Sequence, residues 1–111
     1  MNEVALGQGV FYVATGLWPT LHWRSFEAVT GPKVDRWLVK TTGGLIATIG
    51  AALIVSALEP RVRRATRVLG LGATVALGLA DLVYARRGRI RDVYLVDAVV
   101  EAALAGGWAA R

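Results

Sequence analysis

Three carboxylates interrupt apolar runs of this sequence: Asp81 in "GLADLVY", and Asp97 and Glu101 in "YLVDAVVEAAL". Asp97 and Glu101 are four residues apart, so on a helix they share one face. Acidic groups within an apolar helix can bind a cation or a proton, or they can hold helices in register. These residue types at this spacing make the three carboxylates the candidate site.

A short basic turn around Gly88 separates Asp81 from Asp97. Asp81 lies seven residues before Gly88, and Asp97 lies nine residues after it. Antiparallel helices that leave a common turn reach equal depth at equal distance, which places the two carboxylates within about 3 Å of one level. The spacing therefore predicts that Asp81 and Asp97 face each other and that Glu101 lies one turn deeper.

Four apolar segments would position these residues. The 111 residues are 55% hydrophobic, and the mean hydropathy of +0.49 exceeds that of ordinary soluble domains. About 20 apolar residues in a helix cross the core of a bilayer. The predicted helices cover residues 4–23, 33–58, 66–86 and 91–110. We predict an all-α fold, a single domain over residues 1–111 that forms a transmembrane antiparallel four-helix bundle.

A soluble four-helix bundle is the competing hypothesis for the fold. Each helix of a soluble bundle carries a charged stripe along its outer face. The first two apolar segments have no such stripe. The pattern therefore favours the membrane bundle.

Small residues recur at four-residue spacing in three of the segments. The three stripes are Gly43, Ala47 and Ala51; Gly72, Ala76 and Ala80; and Ala98, Ala102 and Gly106. In lipid, such stripes let helix backbones approach and pack by van der Waals contact. We expect them to be contact faces, within one chain or between copies in a homo-oligomer. A coding bias toward Ala and Gly is the alternative.

Basic residues between the apolar segments predict the orientation. The first and third loops with their flanking helix ends hold Arg24, Lys33, Arg36, Lys40, Arg86, Arg87, Arg89 and Arg91, and the opposite side holds Arg61, Arg63, Arg64, Arg67 and Arg111. Cytoplasmic loops carry the excess of positive charge, so we expect a multi-pass protein of the cell membrane with loops 1 and 3 cytoplasmic and both termini external. The net charge of +5 then predicts anionic lipid headgroups as partners, and no nucleic acid.

The first loop, residues 22–32, is expected to lie in the membrane interface. It would be either a lid over the carboxylates or an ordinary anchor beside a span. His22 would hydrogen-bond to Glu27 or water, or would relay protons, and Ser25 would cap the following turn. The candidate ligand-binding residues are Asp81, Asp97, Glu101, Lys40, Arg36, Tyr84, Tyr94, His22 and Glu27.

Several chemistries have no matching residues. The chain has no cysteine and one histidine, so thiolate sites and histidine metal cages are excluded, and we expect no metal and no cofactor. A glycine-rich phosphate loop, a His-Glu-x-x-His motif and a serine nucleophile elbow are all missing. A hydrolase is therefore poorly supported, although other enzymatic activity stays open.

Two stretches carry a resemblance to a known class of protein. They are "RSFEAVTGPKVDRWLVKT" at residues 24–41 and "DLVYARRGRIRDVYLVDAVVE" at residues 81–101. Both resemble small uncharacterised four-span bacterial integral membrane proteins, and the resemblance covers about a third of the chain. It implies a bacterial integral membrane protein. Because it carries no known activity, it transfers no functional residue.

Three functions are consistent with these observations. The leading hypothesis is a carboxylate site inside the bundle that binds a small molecule, a lipid, a cation or a proton, with transport if two copies associate. In it, Arg36 and Lys40 supply counter-charges, and Tyr84 and Tyr94 donate hydrogen bonds at the entrance. The second hypothesis is a structural or accessory membrane subunit whose charges serve only helix assembly. The third is an enzyme that uses the carboxylates as acid and base.

Overall fold

The computed structural model describes residues 2–59, 64–88 and 90–110, and these contain five helices and no strand. The helices are α1 (Glu3–Leu21), α2 (Trp23–Thr30), α3 (Arg36–Ala57), α4 (Arg64–Arg86) and α5 (Tyr94–Ala109). The predicted all-α class is confirmed. Arg61, Arg63, Arg89 and Arg111, which contribute to the predicted orientation, lie outside the described residues.

The chain divides into two compact units, Met1–Val62 and Arg63–Arg111. The first unit contains α1, α2 and α3, and the second contains α4 and α5. In each unit two long helices form an antiparallel pair.

The region between α1 and α3 differs most from the predicted helix boundaries. Residues 22–32, expected to be a loop, contain the eight-residue helix α2. Gly31 ends α2 with a φ of 97°, and its N–H donates to the Glu27 carbonyl at 2.8 Å. This glycine and Pro32 delay the next helix, so α3 begins at Arg36 and not near residue 33, with Asp35 as its N-cap residue.

Glycine-to-glycine contact joins α1 and α3. Gly16 faces Gly43, and a Cβ built on Gly16 would overlap the Gly43 carbonyl oxygen. Gly9 faces Gly50 in the same way, because its Cβ would lie 2.6 Å from the Gly50 carbonyl oxygen. The two backbones therefore touch, which only glycine permits. Gly43 and Ala47 belong to this contact as predicted, but the exposed Ala51 does not, and Gly50 takes its place.

The α1–α3 contact extends over nearly the full length of both helices. At one end, the Asn2 N–H donates to the Ala57 carbonyl at 3.3 Å. The Asn2 side chain also caps α1 by accepting from the Ala5 N–H at 3.2 Å. The Gly16–Gly43 contact lies toward the other end.

Side chains seated on glycines join α4 and α5. Trp108 is fully buried at 0% exposure, and a Cβ built on Gly70 would overlap its indole ring. Further along, a Cβ on Gly78 would lie 3.2 Å from the Glu101 Cβ. The pairing of early α4 with late α5 shows that the helices run antiparallel.

The predicted small-residue stripes of the second unit are not its contact face. The buried residues of α4 are Thr66, Gly70, Thr74, Asp81 and Ala85. By contrast, a Cβ on Gly72 would meet no atom within 4 Å, and Ala76 is exposed. On α5, Ala102 and Gly106 are exposed as well. A shift of two residues turns a position by about 200° around a helix, so the predicted stripe on α4 points away from α5.

Two of the five helices are long and apolar enough to cross a membrane. They are α3, with 22 residues, and α4, with 23 residues, and each has a mean hydropathy of 1.8 over its most apolar window. Among the described residues, α1 and α5 do not meet the same criterion. With 16 residues, α5 is about 24 Å long, which is shorter than a typical hydrocarbon core.

Candidate carboxyl site in the second unit

Asp81 and Asp97 meet across the contact between α4 and α5. Their side chains form a hydrogen bond, as their distances from Gly88 predict. Asp81 is only 7% exposed, and Asp97 is half-buried. A carboxylate has only acceptor oxygens, so a hydrogen bond between two carboxyl groups requires one proton. The arrangement of the two carboxyl groups is therefore one that can bind a single proton between them.

Glu101 lies one turn beyond Asp97 on α5 and is 1% exposed. The missing side chain of Gly78 leaves the space that the Glu101 stem occupies, since a built Cβ would lie 3.2 Å from the Glu101 Cβ. Glu101 also acts electrostatically on Asp81. The structure thus brings all three predicted carboxyl groups into the second unit.

Two buried carboxyl oxygens in this cluster accept no hydrogen bond from the residues that the structure describes. They are Oδ2 of Asp81 and Oε1 of Glu101, although Glu101 makes other interactions. A buried acceptor oxygen without a donor is costly, by about 1–3 kcal/mol. The cost falls when a proton or another cation occupies the cluster.

Tyr84 and Tyr94 lie at the loop end of the same helix pair. The Tyr84 side chain is 46% exposed, and its carbonyl accepts from the Ile90 N–H at 3.4 Å. Tyr94 is half-buried and is the first residue of α5. Both therefore flank the carboxyl pair along the sequence, with Tyr84 at the surface.

Arg36 and Lys40, expected to be counter-charges for the carboxylates, contact an aromatic ring in the first unit. The Arg36 guanidinium carbon lies 5.1 Å from the centroid of the Trp23 ring, and Lys40 Nζ lies 5.8 Å from it. Both distances are within the range of cation–π attraction. The observed partner of these two cations is therefore Trp23 of α2.

His22 and Glu27 organise the ends of α2. His22 is its N-cap residue, since Nδ1 accepts from the Ser25 N–H at 3.2 Å and lies 2.7 Å from Ser25 Oγ. The expected cap, Ser25, is instead the third residue of the helix, where Oγ accepts from Trp18 Nε1 at 2.7 Å. Glu27 Oε2 accepts from the Lys33 N–H at 3.5 Å.

The first unit also holds a group that we call the aromatic–basic cluster: Trp23, Phe26, Lys33, Arg36 and Lys40. Lys33 Nζ donates to the Thr30 carbonyl at 2.8 Å and the Gly31 carbonyl at 3.1 Å, and it lies 6.0 Å from the Phe26 centroid. The buried Trp23 Nε1 has no acceptor among the described residues. The cluster therefore contains more donors than acceptors.

The sequence patterns missed two buried positions. Gln8 is 0% exposed in α1, one turn before the buried Tyr12, and both residues make further interactions. Trp108 was not part of any predicted contact, because a tryptophan near a helix end resembles an interfacial residue. Gly70 could have indicated where Trp108 packs. It lies eight residues before Gly78, on the face of α4 that also carries Asp81, and a glycine there leaves space for a large side chain.

Fold and site together define a class: an all-α protein of two antiparallel helix pairs, with two candidate membrane spans and a carboxyl pair between α4 and α5. No group of three or more acidic or histidine residues that could hold a metal ion occurs in the described part of the chain. No known protein family, curated protein or solved structure matches the chain.

Proposed function

We propose that this chain is a small bacterial multi-pass membrane protein whose α4–α5 pair binds a proton through Asp81 and Asp97. The observation that carries the proposal is the contact between the buried carboxyl group of Asp81 and the half-buried one of Asp97, because a hydrogen bond between two carboxyl groups requires a proton. Ionisable groups within a membrane helix are expensive to bury, and they commonly mark proton or ion pathways.

The proposal of four crossings is supported by the contacts that hold each of the other two long helices along one of the two candidate spans. Contacts from Asn2–Ala57 to Gly16–Gly43 hold α1 beside α3. Contacts from Gly70–Trp108 to Asp81–Asp97 hold α5 beside α4. A bilayer that contains α3 and α4 would therefore contain α1 and α5 as well. In this arrangement, loops 1 and 3 face the cytoplasm and both termini lie outside.

The narrow contact between α4 and α5 favours a proton over a larger ligand. Trp108 fills the space above Gly70, and Glu101 lies against Gly78, so these helices leave little room for a lipid or an organic molecule between them. Glu101 lies about 6 Å further along α5 than Asp97, which offers a second carboxyl group for a proton leaving the pair. A second copy of the chain would complete a path across the membrane.

Infrared spectroscopy of the reconstituted protein tests the shared proton. The wild type should show a carbonyl band of a protonated carboxyl group that shifts in D2O. Asp81→Asn and Asp97→Asn should each remove this band, because an amide can donate to the remaining carboxylate without a proton. Asp92→Asn is the matched control, since Asp92 is exposed in the same unit. A wild-type spectrum without the band refutes the proposal.

A structural or accessory subunit is the second candidate, and the buried Trp108 on Gly70 favours it because this contact packs α5 against α4. Proton flux into vesicles that contain a pH-sensitive dye separates the two functions. A proton-conducting protein should acidify the vesicles faster than protein-free controls, and Asp81→Asn should abolish the difference. Flux equal to that of empty vesicles, with the infrared band present, supports the accessory subunit.

The four-span arrangement is testable by cysteine labelling, since the natural chain has no cysteine. Val34 is 97% exposed before α3, and Arg87 is exposed after α4. Val34→Cys and Arg87→Cys should react with a membrane-impermeant maleimide from the cytoplasmic side, and Glu3→Cys from the external side. Labelling of all three from one side contradicts four crossings.

A further inference from the structure

The aromatic–basic cluster of the first unit forms a second candidate site. Arg36 and Lys40 are four residues apart, so they extend from one side of α3, and both lie over the ring of Trp23. Both side chains are exposed. The ring holds two positive charges close together while their donor groups remain accessible to a ligand.

Arg36 and Lys40 have no acidic partner within the described part of their own unit. The nearby Glu27 accepts from the Lys33 backbone, and Asp35 is an exposed N-cap residue without a side-chain capping bond. An anionic group with several acceptor oxygens would match the excess of donors.

The position of the cluster indicates where such an anion would come from. Arg36 is the first residue of α3, which is one of the two candidate spans. Beside it, the apolar side chains of Val34, Trp37 and Leu38 are 97%, 68% and 47% exposed. Exposed apolar and aromatic side chains next to basic ones at the end of a span are typical of the headgroup region of a bilayer.

We infer that Arg36 and Lys40, held on Trp23, bind the phosphate of an anionic phospholipid headgroup. The planar guanidinium of Arg36 can donate two hydrogen bonds to one phosphate, and Lys40 adds a point charge. Stacking on the indole orients both side chains before the lipid binds, which lowers the entropy lost on binding. This inference rests on the proposed membrane location but not on the carboxyl pair.

Lipid titration of the full chain in uncharged detergent micelles tests the site. Thermal unfolding is followed by circular dichroism while phosphatidylglycerol, phosphatidylcholine or inorganic phosphate is added at low ionic strength. Phosphatidylglycerol should raise the melting temperature, and the other two should not. In the double variant Arg36→Gln and Lys40→Gln, the affinity for phosphatidylglycerol should fall about 30-fold, which is the factor that two cations near a membrane surface contribute.

The matched control is Arg86→Gln with Arg87→Gln, which removes the same charge from two exposed residues of the second unit. Equal weakening in both double variants means non-specific attraction and overturns the inference. If inorganic phosphate raises the melting temperature as much as phosphatidylglycerol does, the site does not require a lipid and the inference is wrong. If the Gln variant does not fold, Trp23→Leu replaces it, and Trp23→Phe, which keeps a ring, should retain more of the response.

Alkaline carbonate extraction of membranes distinguishes failure of this inference from failure of the proposed function. A protein that carbonate releases does not span the membrane, which refutes the proposed function. A protein that resists extraction but has no preference for phosphatidylglycerol refutes only the headgroup site.

Discussion

The two antiparallel helix pairs use glycine in opposite ways. Between α1 and α3, Gly16 and Gly43 let the two backbones touch. Between α4 and α5, Gly70 and Gly78 instead receive the side chains of Trp108 and Glu101. The second arrangement is the one that carries the carboxyl pair.

This difference has energetic consequences. In lipid, close backbone packing is stabilised by van der Waals contact, which does not depend on protonation. A contact that buries carboxyl groups is stable only while they are hydrogen-bonded or neutral. We therefore expect protonation to affect the α4–α5 contact and not the α1–α3 contact.

The largest effect should come from Gly16→Ala, which breaks the backbone contact of the first pair. The added Cβ would overlap the Gly43 carbonyl oxygen and lie 2.6 Å from the Ala47 nitrogen, and neither backbone atom can move without shifting a helix. We expect a loss of about 3 kcal/mol in unfolding free energy. Denaturation followed by circular dichroism measures it.

Gly7→Ala is the control for this substitution, because it makes the same chemical change on the same helix where a Cβ meets nothing within 4 Å. The higher helix propensity of Ala should leave Gly7→Ala neutral or stabilise it by up to about 1 kcal/mol. Similar stability of the two variants would show that α1 and α3 do not touch.

A smaller effect is expected for Gly70→Ala, which removes the space that Trp108 occupies. The Cβ would overlap the indole ring, but a side chain can rotate where a backbone cannot. We expect a loss of about 2 kcal/mol. Gly72→Ala, two residues away in open space, should not destabilise the protein. Equal stability of these two variants would contradict the position of Trp108.

The sequence predicts the helix pairs better than it predicts their faces. Apolar run length locates the long helices, but it does not show which side of each helix is covered. On α4, the small residues Gly72 and Ala76 and the true contacts Gly70 and Thr74 both repeat every four residues. Hydropathy does not separate these two phases, and the large partner Trp108 decides between them.

The contacts of the candidate site residues are likewise only partly predictable from the sequence. The Asp81–Asp97 pair follows from chain geometry, because helices that leave one turn reach equal depth together. The partner of Arg36 and Lys40 does not follow, since a cation can pair with a carboxylate or stack on an indole, and the structure places Trp23 beside both. The short helix α2, which brings Trp23 there, lacks the apolar run that reveals longer helices.

Asp81→Leu should cost less than Gly70→Ala and more than Asp81→Asn. Leucine cannot hydrogen-bond to Asp97 and leaves that carboxyl group without its partner, which should cost about 1–2 kcal/mol. Asparagine keeps a hydrogen-bond donor at the same position, so Asp81→Asn should stay near wild-type stability. Chemical denaturation of both variants at neutral pH measures the difference. If Asp81→Leu is as stable as Asp81→Asn, the carboxyl pair contributes nothing to the contact.

The smallest effect is expected for Gly78→Ala. This substitution tests whether the α4–α5 contact can accommodate an added Cβ where the α1–α3 contact cannot. A Cβ at Gly78 would lie 3.2 Å from the Glu101 Cβ, so Glu101 has to move by only a few tenths of an ångström. The cost of this shift is offset by the gain of about 1 kcal/mol in helix propensity, which leaves a net change near zero. Gly9→Ala, which would meet the Gly50 carbonyl oxygen at 2.6 Å, should be strongly destabilising by the same denaturation measurement. If Gly78→Ala is as damaging as Gly9→Ala, the α4–α5 contact is as rigid as the α1–α3 contact, and Glu101 could not shift to exchange a proton with the pair.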